Sequence, residues 1–228
     1  MTDARGGQAT RATDRRRPRR GTRLGGRRLT VLGLTGSIGM GKSTAVRMMR
    51  RLNVPCHDAD AVVHRLLGPG GAAVAAVAAA FPGVVRGGAV DRAALGARVF
   101  GDTAALKRLE AILHPRVRAA EHRFLMRQAL ARRRLVVLDV PLLFETGGER
   151  RCDRVLLVTA PRFLQAQRVL RRPGMTPERL TQVRARQMPE PEKRRRADVV
   201  VNTGLGMAPA YRRVRRLVRD LRTERTAP

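Results

Sequence analysis

A chain of 228 residues with 43% hydrophobic content can bury one core, with room for one or two small inserted subdomains. The formal charge of +30 invites a nucleic-acid role, yet only three of the 48 basic residues are lysine (Lys42, Lys107, Lys193) and the arginines run through the whole chain. A nucleic-acid footprint clusters its charge with stacking or readout residues, so no specific nucleic-acid partner is expected; with no apolar run near the ~20 residues that span a bilayer, no membrane partner is expected either.

Residues 1 to about 27 are arginine-dense and almost devoid of apolar side chains. Such a segment cannot bury enough surface to offset its ordering entropy and reads as a disordered basic arm. No apolar signal segment follows it. With only two cysteines, Cys56 and Cys152, a disulfide framework is not expected, and a cytoplasmic address with buried thiols is the default. Order should begin at Leu29–Thr35, a short apolar strand ending in glycines. A helix is predicted from Lys42 to about Leu52, then a brief strand over Val54–Asp58.

From Ala59 to Arg134 the pattern is mostly helical, and the greasiest stretch, Ala72–Phe81, reads as a helix. Asp91 and the Asp102/Thr103 pair are N-cap candidates, while Pro115 should interrupt the long pattern just after His114. Leu135–Val140 and Arg154–Thr159 are continuous apolar runs, the kind that suits a parallel sheet covered on both faces. Thr176 and Pro177 form an N-cap and N1 pair. A last strand over Asp198–Asn202 and an amphipathic helix over Ala208–Leu221 complete the reading. Strands alternating with helices predict an α/β doubly wound fold.

Gly36-Ser-Ile-Gly-Met-Gly41-Lys42-Ser43 satisfies G-x-x-x-x-G-K-[ST] at every fixed position. Glycines let successive backbone N–H groups turn inward around phosphate oxygens, and the following helix offers its positive N-terminus to the same anion. Lys42 should reach the β- and γ-phosphates of ATP, and the Ser43 hydroxyl can ligate Mg²⁺. Where arginine is the habitual cation, a lysine at this place indicates that a compact ammonium is required. The nucleotide-binding set is therefore Gly36, Gly39, Met40, Gly41, Lys42, Ser43 and Thr44. The additional Gly39 suits nucleotide and metabolite kinases more than motor-type ATPases.

A kinase also needs a carboxylate to take the acceptor proton. Asp58-Ala-Asp60 follows the second strand, at the carboxyl end of the sheet where ligands collect. An i, i+2 pair points the same way if extended, and helix N-capping is the alternative role, since Asp60 precedes the run Ala-Val-Val-His-Arg-Leu-Leu. Asp139 closes the run Leu135–Leu138 in a Walker-B-like position and is a candidate for Mg²⁺. Glu145 supports the same pocket or caps a helix. Arg168, Arg171 and Arg172 precede the Pro173-Gly174 break, so a lid carrying arginines could close over ATP.

Taken in order, Leu34–Thr44, Asp58-Ala-Asp60, Leu113-His-Pro115, Asp139-Val-Pro-Leu-Leu-Phe-Glu145, Arg172–Thr176, Gln187-Met188 and Asn202-Thr-Gly204 resemble the dephospho-CoA kinase family over about residues 30 to 222. The resemblance implies transfer of the ATP γ-phosphate to the ribose 3′-hydroxyl of dephospho-CoA. It implies a P-loop NTPase domain over 28–225: a core at about 28–60, 134–160 and 197–225, a helical CoA-binding insertion at about 61–133, and a lid at about 161–196. On this reading Asp60 matches the catalytic base, with Lys42, Arg168 and Arg172 as the catalytic cations. Asp58, His64 and His114 belong to the acceptor site, and Asn202 joins the nucleotide site. Not all family members carry an acid at the position of Asp139. A monomer or weak homo-oligomer is expected. The competing readings are another P-loop metabolite kinase, such as a nucleoside monophosphate kinase, a basic nucleic-acid-binding ATPase, and a nucleotide-binding module without catalysis.

Overall fold

The computed structural model describes residues 22–24 and 27–223, with side chains from residue 29. Residues 1–21, to which most of the expected arm belongs, lie outside the described residues. Inside that arm's expected bounds, β1 (Thr22–Leu24) pairs antiparallel with the start of β2 (Arg27–Thr35). Strand structure therefore reaches further back than Leu29.

Five parallel strands form the centre, in the order β3 (Cys56–Asp58), β6 (Leu135–Asp139), β2, β7 (Arg154–Thr159) and β8 (Val199–Asn202). β6 and β7 are buried at every residue, as continuous apolar runs in a doubly covered sheet should be. Two carboxylates secure the strand starts. Asp153 accepts from the Val31 N–H at 2.7 Å, and Asp198 accepts from the Val155 N–H at 2.7 Å. These bonds satisfy amides at the start of the sheet that would otherwise be stranded in an apolar setting.

On one face, α1 (Lys42–Arg51) and α9 (Met207–Thr223) pack Ala45, Val46, Met48, Met49, Val214, Leu217 and Val218 against Leu32, Val137 and Leu156. The buried positions of α9 (Ala210, Val214, Leu217, Val218, Leu221) follow helical spacing, so its apolar stripe alone fixes how it docks. The other face is covered by the second half of α5 (Thr103–Leu130), whose Phe124, Leu125 and Ala129 meet Val31, Val136 and Leu138.

Between β3 and β6 the chain builds α2 (Ala59–Leu67), α3 (Val74–Ala80), a hairpin of β4 (Val85–Arg86) and β5 (Ala89–Val90), and α4 (Arg92–Val99). These elements and the first half of α5 share their own apolar cluster, centred on Leu67, Val77, Phe81, Val84 and Leu95. The hairpin is an addition to the helical expectation: two-residue strands are too short to show a period. Asp91 and Asp102 are N-caps, each accepting from two backbone amides; such a cap stabilises a helix by about 1 kcal/mol.

Pro115 does not end the helix as its sequence position predicts. α5 runs through it for 28 residues. A proline inside a helix costs about 3 kcal/mol through a lost hydrogen bond and a clash, and tertiary anchoring on both sides offsets this. The Arg116 guanidinium also donates to the carbonyls of Ile112 (2.7 Å) and Ala72 (3.1 Å), at the turn the proline loosens.

After β7 come α6 (Arg162–Leu170), α7 (Pro177–Ala185) and α8 (Glu190–Arg196). Thr176 caps α7 as expected, accepting from the Arg179 amide at 3.3 Å.

Candidate active site

The carboxyl ends of the parallel strands deliver the site. A cavity of about 610 Å³ opens there, lined by the loop after β2, the first residue pairs of α1, Asp60, Pro141, Arg168, Arg172, Gln187 and Thr203. The loop is held in a shape that side chains would not permit. Gly39 and Gly41 have φ of 75° and 88°, the left-handed region. A Cβ on Gly39 would stand 2.5 Å from Val169 Cγ2, and one on Gly41 2.8 Å from Thr203 Oγ1. Gly41 is also the N-cap of α1 and supplies no side-chain acceptor. No side chain caps the start of the helix at the cavity wall, which is the arrangement an anion needs.

Lys42 begins α1 and reaches back to Asp139, with Nζ 2.7 Å from Oδ1. Parallel registers set this meeting: Leu34 and Asp58 both stand opposite Asp139. Burial pushes the Asp139 carboxyl above its ordinary range, opposed by the hydrogen bond and charge of Lys42 and reinforced weakly by the charges of Asp58 and Asp60.

Asp58 and Asp60 part company in the structure. The helix begins at Ala59, so the two are not an extended i, i+2 pair. Asp58 is the N-cap of α2 and accepts from the Ala61 amide at 2.9 Å. Asp60 sits in the first turn, exposed, on the cavity wall. The capping role belongs to Asp58, and the cleft-facing carboxylate is Asp60.

Arg168 and Arg172 also differ. Arg168 is half-buried; its Nη1 donates to Thr203 Oγ1 (3.1 Å) and its Nη2 to the Thr203 carbonyl (3.1 Å), with a longer reach to the Gly39 carbonyl (3.4 Å). Arg172 is exposed on the cavity wall. Ser43 and Thr44 line the cavity, whereas Met40 turns its side chain into the core, 3% exposed, and its Sδ accepts from the Ala160 amide. Asn202 accepts from the Gly204 amide at 2.8 Å and shapes the turn without lining the cavity. His64 is exposed and meets Arg92 at 3.2 Å, on the insertion side. His114 lies on the exposed face of α5 and is not among the cavity's lining residues.

Three further side chains hold the loop from outside it. Gln187 Oε1 accepts from the Ile38 amide (3.2 Å), Gln165 Nε2 donates to the Ile38 carbonyl (2.8 Å), and the Thr203 hydroxyl donates to the Met40 carbonyl (2.8 Å). Gln187 and Thr203 stand in segments on which the sequence resemblance rests, but Gln165 shows itself only through the fold. As for Mg²⁺, the nearby donors are the Ser43 hydroxyl and the Asp139 carboxylate, hard oxygens of the type it takes. Among the described residues no group of three or more His, Cys, Asp or Glu could hold a metal. Mg²⁺ that comes with a nucleotide uses one or two carboxylates and the phosphates themselves, and the residues present fit that mode.

A strand, a G-x-x-x-x-G-K-S loop and a helix on a parallel sheet, with a carboxylate facing the same cleft, define a P-loop nucleotide-binding kinase fold. The family model for dephospho-CoA kinase matches residues 30–207, and the chain belongs to that family. A dephospho-CoA kinase of Paramagnetospirillum magneticum is 72% identical over 166 residues, 73% of this chain and 78% of that protein. One of Rhodospirillum rubrum is 66% identical over 186 residues, 81% of this chain and 88% of that protein. Among solved structures, TT1252 from Thermus thermophilus superposes with a TM-score of 0.75 at 38% identity, covering 88% of this chain and all of that one.

Proposed function

We propose that the protein transfers the γ-phosphoryl group of ATP to the ribose 3′-hydroxyl of dephospho-CoA, giving coenzyme A and ADP. The observation that carries this reading is the joint presence, in one cavity of about 610 Å³, of a glycine-shaped phosphate loop and a solvent-facing carboxylate, Asp60, in a member of the dephospho-CoA kinase family.

The loop amides and the start of α1 bind the phosphates. Lys42 exchanges Asp139 for the β- and γ-phosphate oxygens, a short swing for a side chain already at the cavity wall. Asp60 accepts the proton of the attacking hydroxyl as the O–P bond forms and ADP leaves. Arg172 brings mobile positive charge over the transferring group, while Arg168, fixed to Thr203, adds a stationary one. Ser43 and Asp139 would hold Mg²⁺, which when bound neutralises charge on the phosphates. Asp58 and His64 border the acceptor side, and His114 serves a more distant part of the acceptor on α5.

The domain reading follows the same lines: a nucleotide core, an insertion with its own apolar cluster that takes the acceptor, and a lid of α6 to α8. A monomer or weak homo-oligomer is the assembly we expect. Both cysteines are free thiols, in keeping with a reducing cytoplasm. No described helix is long and apolar enough to cross a membrane.

The test is phosphate transfer from Mg-ATP, with dephospho-CoA and AMP offered in parallel and the product masses read directly. Gain of one phosphoryl group on dephospho-CoA, abolished in Lys42→Ala, is the expected result. Conversion of AMP alone would reassign the protein to the nucleotide kinases. Hydrolysis stimulated by nucleic acid, with steep salt dependence, would favour the nucleic-acid-binding ATPase.

A further inference from the structure

We infer that Lys193, paired with Glu145, is a positioning residue of the phosphate loop, locking the loop's rear to the segment that follows β6; this rests on the kinase reading above. Lys193 stands on α8 and is completely shielded, with 0% exposure. Its Nζ lies 2.8 Å from Glu145 Oε1 and 3.5 Å from Ser37 Oγ. Ser37 lines the cavity, but neither Lys193 nor Glu145 does. The pair therefore acts from behind the loop rather than on the ligand.

Glu145 is itself held in place. Its Oε1 accepts the Met188 N–H at 2.9 Å, while Oε2 is buried without a hydrogen-bond partner. One residue along from Ser37, Ile38 is gripped at its amide by Gln187 and at its carbonyl by Gln165. Lys193 joins three segments: the phosphate loop, the turn after β6 and the helix that leads into β8.

A buried ion pair is an inefficient way to add stability. Desolvating two charges offsets most of their attraction, and a well-packed apolar pair of the same volume is often as stable or more so. What the pair adds is a fixed geometry, because an ammonium with its carboxylate and a hydroxyl has directional bonds that methylenes lack. The choice of residue fits. In a chain where three of 48 basic residues are lysine, one is in the loop and another directly behind it. A guanidinium is longer and forked, and a fully enclosed site built around a point charge does not take it. The 3.5 Å reach to Ser37 is long for a hydrogen bond, as such contacts often are before a ligand tightens the site.

The experiment compares the parent with Lys193→Met, the double variant Lys193→Met/Glu145→Gln and Ser37→Ala. The double variant removes both charges, so it avoids stranding a buried carboxylate and tests position rather than folding. Expected are a parent-like melting temperature and dephospho-CoA KM, a kcat lower by about 100-fold, the scale of a small misplacement at the reacting centre, and Mg-ATP affinity lower by about tenfold. Ser37→Ala should lower kcat in the same direction by less. A double variant with the parent's kcat would overturn the inference, as would a loss accompanied by equal damage to melting temperature and dephospho-CoA KM. If the parent itself transferred nothing to dephospho-CoA, the assigned reaction would be what fails. Mg-ATP affinity would then decide alone: a tenfold loss supports the positioning role, and parent-like affinity refutes it.

Discussion

The two walls of the cleft are built on opposite plans. On the nucleotide wall almost every group near the loop is already engaged: Lys42 with Asp139, Ile38 with two glutamines, Met40 and Arg168 with Thr203. On the wall proposed for the acceptor, Asp60 is exposed, and His64 meets an exposed arginine. Preorganised dipoles stabilise developing charge without reorganising at the moment of reaction, so rigidity belongs where the phosphates sit. The acceptor must enter and leave, and a general base has to remain accessible to it. Loss of function should therefore follow from removing a charge on the first wall and a proton acceptor on the second, by different kinetic routes.

The largest effect is expected for Lys42→Ala, with turnover falling by more than about 10³-fold and Mg-ATP affinity falling with it. Lys42→Arg should not restore it, since the planar fork cannot replace a point charge between the phosphates. Next is Asp60→Asn, expected to lower kcat by about 10²- to 10³-fold while calorimetry finds Mg-ATP binding as in the parent. If Asp60→Asn turned over normally, the base would have to lie elsewhere and the contrast between the walls would collapse.

How much of this was legible in the sequence differs between the walls in the same way. The loop announces itself because its chemistry demands fixed residue types at fixed spacing, and Gly39, Gly41, Lys42 and Ser43 stand where the motif puts them. The strands β6 and β7 were legible because burial on both faces writes them as unbroken apolar runs. Asp58 and Asp60 could not be told apart from spacing, since their roles depend on whether the helix starts at residue 59 or 61, and helix starts shift easily by a residue or two. Pro115 misled for the opposite reason: a local rule lost to packing on both halves of α5. Gln165 left no trace at all. Its bond to Ile38 joins residues 127 positions apart, and nothing local marks such a contact.

The middle of the range sharpens the contrast. Thr203→Val removes the hydroxyl that donates to Met40 and accepts from Arg168. It should raise the KM for ATP by about tenfold and lower stability by about 1 to 2 kcal/mol, leaving the KM for dephospho-CoA unchanged. Asp58→Ala should do the reverse of Asp60→Asn. It removes a helix cap, costing about 1 kcal/mol of stability in a denaturant titration, with turnover retained. An Asp58→Ala enzyme that is stable but inactive would exchange the roles of the two carboxylates.

The smallest effect concerns what lies beneath the acceptor wall. His57, the middle residue of β3, turns toward α5, where its ring meets that of Phe124 in a tilted contact, centroids 5.1 Å apart. Burial holds its pKa below the ordinary histidine range; Glu121 and Asp58 pull upward, and Arg65 and Arg127 push downward. The unfolded chain takes up a proton at this histidine near pH 6.5, while the folded one resists until lower pH. The unfolded state thus binds more protons below about pH 6.5, and stability falls as the solution is acidified through that range. The slope for one proton cannot exceed about 1.4 kcal/mol per pH unit. His57→Leu should flatten the fall in stability between pH 7 and 5 and leave turnover at pH 8 near the parent's. A variant with the parent's full acid slope would show that β3 tolerates a charged His57, and that the acceptor wall rests on packing alone.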